Sequence, residues 1–171
     1  MLDILSKIFG FIGVASTIFI YQQKSRKGLL VSKLISDVFW LAHYALLGAY
    51  SGAASAIIAL TRELVFINRD KKWAKSRWWL VLFLVLSALS AVVTWKNAFS
   101  LLPAAASALS VISFWIGSPC LARIFSFPIS ASMLSYDIVC SSTAGIINEV
   151  LALSSSVVGI LRHDIKHKKE D

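Results

Sequence analysis

The 171 residues predict an all-α polytopic membrane protein, with seven transmembrane helices arranged as two parallel three-helix repeats joined by a spacer helix. Three observations carry that reading. Hydrophobic residues make up 57% of the chain and charged residues only 15%, where a soluble domain carries about 25% charge. The apolar residues fall in runs of roughly 17 to 20, the length of a helix that crosses a bilayer core. Finally, the stretch from His43 to Arg69 returns in altered form 93 positions later.

Span 1, over 4–23, begins near Lys7 and runs into "YQQKSRK" without a small-x-small cleavage site, so it reads as a retained helix rather than a signal peptide. Spans 2 and 3 cover 29–48 and 50–68. Span 4, "WLVLFLVLSALSAVVTW" over 79–95, is free of charge and bounded by tryptophans, as lipid-facing helices with interfacial aromatic belts are. It reads as the spacer. Spans 5, 6 and 7 cover 98–117, 127–143 and 146–162. Residues 1–72 then make the first three-helix bundle, 73–96 the spacer, 97–163 the second bundle and 164–171 a basic tail.

The loop charges test this count independently. Lys24, Arg26 and Lys27 follow span 1; Arg69, Lys71, Lys72, Lys75 and Arg77 follow span 3; Arg123 follows span 5; Arg162, Lys166, Lys168 and Lys169 follow span 7. The alternate connections carry only Lys96. By the positive-inside rule this alternation puts the N-terminus outside and the C-terminus in the cytoplasm. The same placement explains the 17 Lys and Arg against 9 Asp and Glu without nucleic acid, whose binders gather basic residues on one water-facing surface. Cys120 and Cys140 fall near opposite faces and read as small apolar fillers.

The 93-residue shift pairs Gly52 with Gly145, Ala59 with Ala152, Leu60 with Leu153, Val65 with Val158, Ile67 with Ile160 and Arg69 with Arg162. It also lays span 1 on span 5 and span 2 on span 6, leaving span 4 unmatched. Because the spacer is a single helix, both triplets enter the membrane from the same side, as parallel repeats about an axis along the membrane normal. That layout resembles the SWEET sugar transporters and PnuC-type vitamin transporters. The chain departs from the SWEET pattern of hinge prolines in four core helices, since only Pro103 and Pro128 fall inside spans. At residue level, "HYALLGAYSGAASAIIALTR", "SLLPAAASALS" and "GIINEVLALSSSVVGILR" resemble the YgjV family of bacterial inner-membrane proteins over nearly the whole chain. The resemblance implies location and fold and supplies no site residues.

A charge at mid-membrane depth is costly unless it faces protein or water, so intramembrane ionisable groups are the functional candidates. They are Asp37, Arg62, Glu63, Asp137, Glu149 and His43. Asp37, Trp40 and Tyr44 lie at i, i+3 and i+7 on one helical face, and the shift maps them to Ser130, Met133 and Asp137. The alternative for Asp37 is an i,i+4 pair with Lys33 near the helix end. Ser55 and Arg62 map to Asn148 and Ser155, a polar stripe extended by Thr61, Ser154 and Ser156; small polar residues also pack membrane helices without any ligand. Asp137 and Glu149 are expected as a carboxylate pair near the outer mouth, able to bind a cation or a proton. Arg62 either snorkels to the headgroups or pairs with a buried carboxylate or an anionic substrate group. His43 either bonds a neighbouring helix or couples protons.

"HDIKH", His163 to His167, has the histidine spacing of an H-E-x-x-H zinc motif, but it sits in a basic juxtamembrane tail that attraction to anionic lipid explains. No phosphate loop, nucleophile elbow or paired-cysteine motif supports an enzyme, and no cofactor or metal is implied. The expected function is a small-solute transporter working by alternating access between two bundles. Trp40, Tyr44, Ser55 and Asn148 would contact a sugar-, nucleoside- or vitamin-like substrate, and Asp37, His43, Arg62, Asp137 and Glu149 would supply charge or proton coupling. The alternative is a non-transporting membrane subunit that binds a partner protein or lipid, its polar residues serving as structural glue. An intramembrane enzyme would need two acidic groups to meet in a wet cavity. The expected partners are membrane lipid and a small solute, with a homo-oligomer left open.

Overall fold

A computed structural model describes residues 2–20 and 22–164. The HDIKH side chains and the basic tail lie outside the described residues. Within them are seven α-helices: α1 Leu2–Ile20, α2 Arg26–Leu47, α3 Tyr50–Ile67, α4 Trp78–Val93, α5 Leu101–Ile116, α6 Pro119–Val139 and α7 Thr143–Gly159. Short 3-10 turns lead into α4 and α5, and α7 runs on through a π-helical turn, Ile160–Asp164.

Six helices match their expected spans to within about three residues. The exception is α6, which starts at Pro119 rather than at 127. Ser118 caps it, accepting from the Leu121 N–H at 3.5 Å, and Pro119 takes the first helical turn, where its missing N–H costs nothing. Arg123, expected in a loop, is therefore on the helix and buried, with Nη2 donating to the Gln23 carbonyl at 3.5 Å.

Five helices are long and apolar enough to cross a membrane: α1, α2, α3, α5 with its leading turn, and α7 with its π-helical extension. α4 is apolar but has 16 residues, while α6, with 21, carries Arg123, Tyr136, Asp137 and four serines. The radial pattern is inverted relative to a soluble protein. Ile4, Ile8, Phe11, Phe19, Ile35, Val38, Val92 and Val93 point outward, whereas Ser6, Thr17, Ser36, Asp37, His43, Arg62 and Glu63 are buried. In water so much exposed apolar surface would drive association; against lipid tails it is the matching solvent.

α1, α2, α3, α5, α6 and α7 each pack on two neighbours in that order, and α7 returns to α1, so the six close into a ring. α4 stands outside it against α3 and α5. It is fixed there by Phe66 edge-on to Phe83 at 5.8 Å and by the Ser87 and Ser107 hydroxyls, 2.9 Å apart.

The turns after α2 and α6 have the same construction 93 positions apart. In the first, Ala49 N–H donates to the Tyr44 carbonyl at 3.0 Å and Gly48 N–H to that of Ala45 at 3.3 Å. In the second, Ser142 N–H donates to the Asp137 carbonyl at 2.9 Å and Ser141 N–H to that of Ile138 at 3.1 Å. Both are Schellman caps, which need a left-handed residue after the helix. Gly48 supplies it at φ 72°, whereas the second turn uses Ser141 at φ 55°. A side chain in that region costs about 1–2 kcal/mol, part of which glycine returns through its larger unfolded-state entropy. Ser141→Gly is expected to raise the unfolding midpoint in detergent by roughly 1–3 °C, and Gly48→Ser to lower it. Equal destabilisation by both would contradict the shared cap.

Candidate functional site

A cavity of about 130 Å³ occupies the middle of the ring. All six ring helices line it, and α4 does not. The face of α2 expected to turn inward does so, with Lys33, Ser36, Asp37, Trp40 and Tyr44 on the wall. α3 adds Ser55, Ala56, Ala59 and Arg62; α7 adds Asn148, Glu149 and Ala152. Of the nine expected site residues, seven line the cavity. The other two, His43 and Asp137, lie just beyond Tyr44.

Many wall positions come in pairs separated by 93: Thr17 and Ser110, Ser36 and Ile129, Asp37 and Ser130, Trp40 and Met133, Ser55 and Asn148, Ala56 and Glu149, Ala59 and Ala152. The chemistry within most pairs differs, so the cavity is symmetric in position and asymmetric in charge.

At the end carrying the Schellman turns, the ring is crossed by hydrogen bonds between helices that do not neighbour each other. Tyr44 donates its hydroxyl to Asp137 Oδ1 at 2.9 Å, joining α2 to α6 across the centre. His43 Nε2 lies 2.8 Å from the hydroxyl of Ser142, the cap of α7, and Nδ1 lies 2.8 Å from the Ser6 carbonyl. In the position equivalent to His43, the Tyr136 hydroxyl accepts from Gly52 N–H at 3.2 Å in the first turn of α3. Thus α2 braces the start of α7, and α6 braces the start of α3. Gly52 and Gly145, also 93 apart, make room for this: a Cβ at Gly52 would lie 2.9 Å from the Tyr44 ring, and one at Gly145 would overlap the Asp137 carboxylate. Asp137, His43 and Tyr136 are all buried, so the cavity ends at Tyr44 on this side.

Farther down the wall, charges are matched. Lys33 Nζ lies 2.9 Å from Asp37 and 3.7 Å from Glu63, and Arg62 Nη2 lies 3.0 Å from Glu63. Arg62 is 1% exposed and stacks over the Phe114 ring at 5.3 Å. The structure decides between the two expectations for this residue: Arg62 pairs with a buried carboxylate and does not snorkel. For Asp37 the i,i+4 partner Lys33 is the one found. For His43 the partners are the structural ones, on α1 and α7.

Asp137 and Glu149, expected as a carboxylate pair, feel each other's charge, but each takes a separate hydrogen-bond donor. Asp137 is turned to Tyr44, while Glu149 Oε1 accepts from Asn148 Nδ2 at 2.9 Å. The serine stripe is split in role. Ser126 and Ser156 bond each other at 2.7 Å between α6 and α7, and Thr17 and Ser36 lie 3.3 Å apart between α1 and α2, as packing contacts. Ser55 Oγ and Asn148 Oδ1 are buried with no partner in the protein.

Lys33, Tyr136 and Ser142 were not singled out as site residues. The signal for Tyr136 was present, since it stands 93 positions after His43. Among the described residues no group of three His, Cys, Asp or Glu side chains converges to hold a metal ion.

Removing one member of the buried pair strands the other's charge, which costs about 3 kcal/mol, whereas removing both does not. Arg62→Met and Glu63→Gln are each expected to lower stability in detergent by about that amount, and the double variant to recover most of the loss. Additive losses would mean that the two charges do not depend on each other.

A family model described as a bacterial inner membrane protein, Imp-YgjV, matches residues 4–167. No curated protein and no solved structure matches the chain.

Proposed function

The chain belongs to the Imp-YgjV family of bacterial inner membrane proteins, and we propose that it is a small-solute transporter working by alternating access between two parallel three-helix bundles, α1–α3 and α5–α7. The observation that carries this reading is the paired cavity wall. Seven positions on one triplet and their counterparts 93 residues on enclose one space at the centre of the ring, and the two Schellman turns repeat the same spacing in the backbone. Parallel repeats related by an axis along the membrane normal are one of the ways transporters build such a site.

In this reading the distribution of loop charges puts the Schellman turns outside and the basic connections in the cytoplasm. The Tyr44–Asp137 bond, with the His43 and Tyr136 braces, then forms the outer gate. These contacts join the bundles to each other, so rocking the bundles apart breaks them together and opens the cavity outward. Trp40, Tyr44, Ser55 and Asn148 face the solute. Asp37 and Arg62 hold the matched charges of the wall, His43 and Asp137 belong to the gate, and Glu149 supplies charge to the site.

A static bundle serving a partner protein or lipid would have the same polar contacts as glue and no moving gate. The two are separated by thiol labelling with a membrane-impermeant maleimide, in a background with Cys120 and Cys140 replaced by serine. Ala59→Cys and Ala152→Cys place one thiol each on the two halves of the wall. Both are expected to label from either side of the membrane, in right-side-out and inverted vesicles. Asp137→Asn, which weakens the gate, is expected to raise labelling from outside several-fold. Labelling from one side only, unchanged by Asp137→Asn, would overturn alternating access.

A further inference from the structure

The charge that the wall leaves unmatched carries a conclusion about the solute. Lys33, Asp37, Arg62 and Glu63 cancel among themselves through contacts of 2.9 to 3.7 Å. Glu149 makes none of these contacts and feels Lys33 only at longer range. It lines the cavity, is 7% exposed, and has no Lys or Arg nitrogen within 4.0 Å among the described residues.

Two donors, the Ser130 hydroxyl and the Asn148 amide, hold the carboxylate, and the polar groups that remain free beside it are acceptors. Asn148 donates its amide Nδ2 to Glu149 Oε1 at 2.9 Å, which leaves the carbonyl Oδ1 as the free end of that side chain. Asn148 is 8% exposed, and Oδ1 has no protein partner. Across the ring, Ser55 Oγ is buried and unpartnered in the same way. Such groups are costly to bury unless something bonds them. Trp40 and Tyr44, with ring centroids 5.7 Å apart, form the aromatic part of the same wall.

A carboxylate, a carbonyl oxygen, a hydroxyl and aromatic surface are complementary to a positive charge. Arg62 and Lys33, the cations that would draw an anion, are already held by carboxylates. A neutral solute would bring Glu149 no counter-charge within contact distance. Aromatic faces recognise alkylated ammonium groups, whose diffuse charge sits well against a ring quadrupole, better than they recognise a small hydrated metal ion.

We propose that the cavity binds an organic cation of the ammonium type, with Glu149 as its counter-ion, Asn148 Oδ1 and Ser55 Oγ as polar contacts, and Trp40 and Tyr44 as its aromatic wall. This deepens the transporter reading and rests on its assignment of the cavity as the solute site. Within that reading, the gate at Tyr44 closes directly over the bound cation.

The test uses three probes of nearly the same shape and different charge: choline, 3,3-dimethylbutan-1-ol and 3,3-dimethylbutanoate. The melting temperature of the full chain in detergent is followed against each, since a ligand of the folded state raises it by mass action. Choline is expected to raise the midpoint in a saturable way, with the alcohol and the carboxylate at least tenfold weaker. Glu149→Gln is expected to abolish the preference for choline, and Ser55→Ala to weaken choline binding several-fold. Should Glu149→Gln fail to fold, the comparison of the three probes on the wild-type chain decides alone. Equal responses to choline and the alcohol, or a choline response retained in Glu149→Gln, would overturn the cation assignment and leave the cavity a solute site. No response to any of the three would also overturn it, while the thiol labelling still judges alternating access separately.

Discussion

Arg62 and Glu63 are adjacent in sequence, and both are buried at the level of the ring. Successive residues on a helix point about 100° apart, so a single neighbouring helix cannot cover both. α3 is accordingly packed on three sides, by α2, α4 and α5. α2 brings Lys33 to within 3.7 Å of Glu63, α5 brings Phe114 and the Ser107 carbonyl to Arg62, and α4 seals the outer side through Phe83 on Phe66. The need to keep these two groups out of lipid therefore accounts for the close packing around α3. It also accounts for the place of α4, which touches the ring and contributes nothing to the cavity.

The opposite end is held on another principle. There the contacts are single hydrogen bonds between helices far apart in the ring: Tyr44 to Asp137, His43 to Ser142, and Gly52 to Tyr136. They are few and directional, and each joins the first triplet to the second. Contacts within a triplet, such as Thr17 with Ser36 and Ser126 with Ser156, stay on adjacent helices. In the alternating-access reading proposed above, the bonds between the triplets are the ones that open together. Tyr44 lines the same cavity as the unpartnered oxygens of Ser55 and Asn148.

Much of this was legible in the residues. Hydropathy located the helices because lipid selects for apolar runs regardless of how they pack. The i, i+3, i+7 spacing of Asp37, Trp40 and Tyr44 identified the inward face of α2, because that periodicity is a property of the helix itself. The start of α6 was hidden, since Arg123 and the serines make Pro119 to Ser126 look like a loop by hydropathy. The cap signal, Ser118 before Pro119, lay at the head of that stretch. The pairing of Asp137 was also hidden. Proximity in sequence favours Glu149, 12 positions away, whereas the bond goes to Tyr44 on a helix across the ring.

By itself, then, the sequence determined that the chain is a helical inner-membrane protein and which helix faces carry its polar groups, because composition and period are local properties that lipid enforces one helix at a time. Only the tertiary structure decided what those groups do. Whether Arg62 reaches water or a carboxylate, and which donor Asp137 meets, depend on which helices close the ring and at what depth. Those contacts link residues from 1 to nearly 100 positions apart, and separation along the chain does not say which of them form.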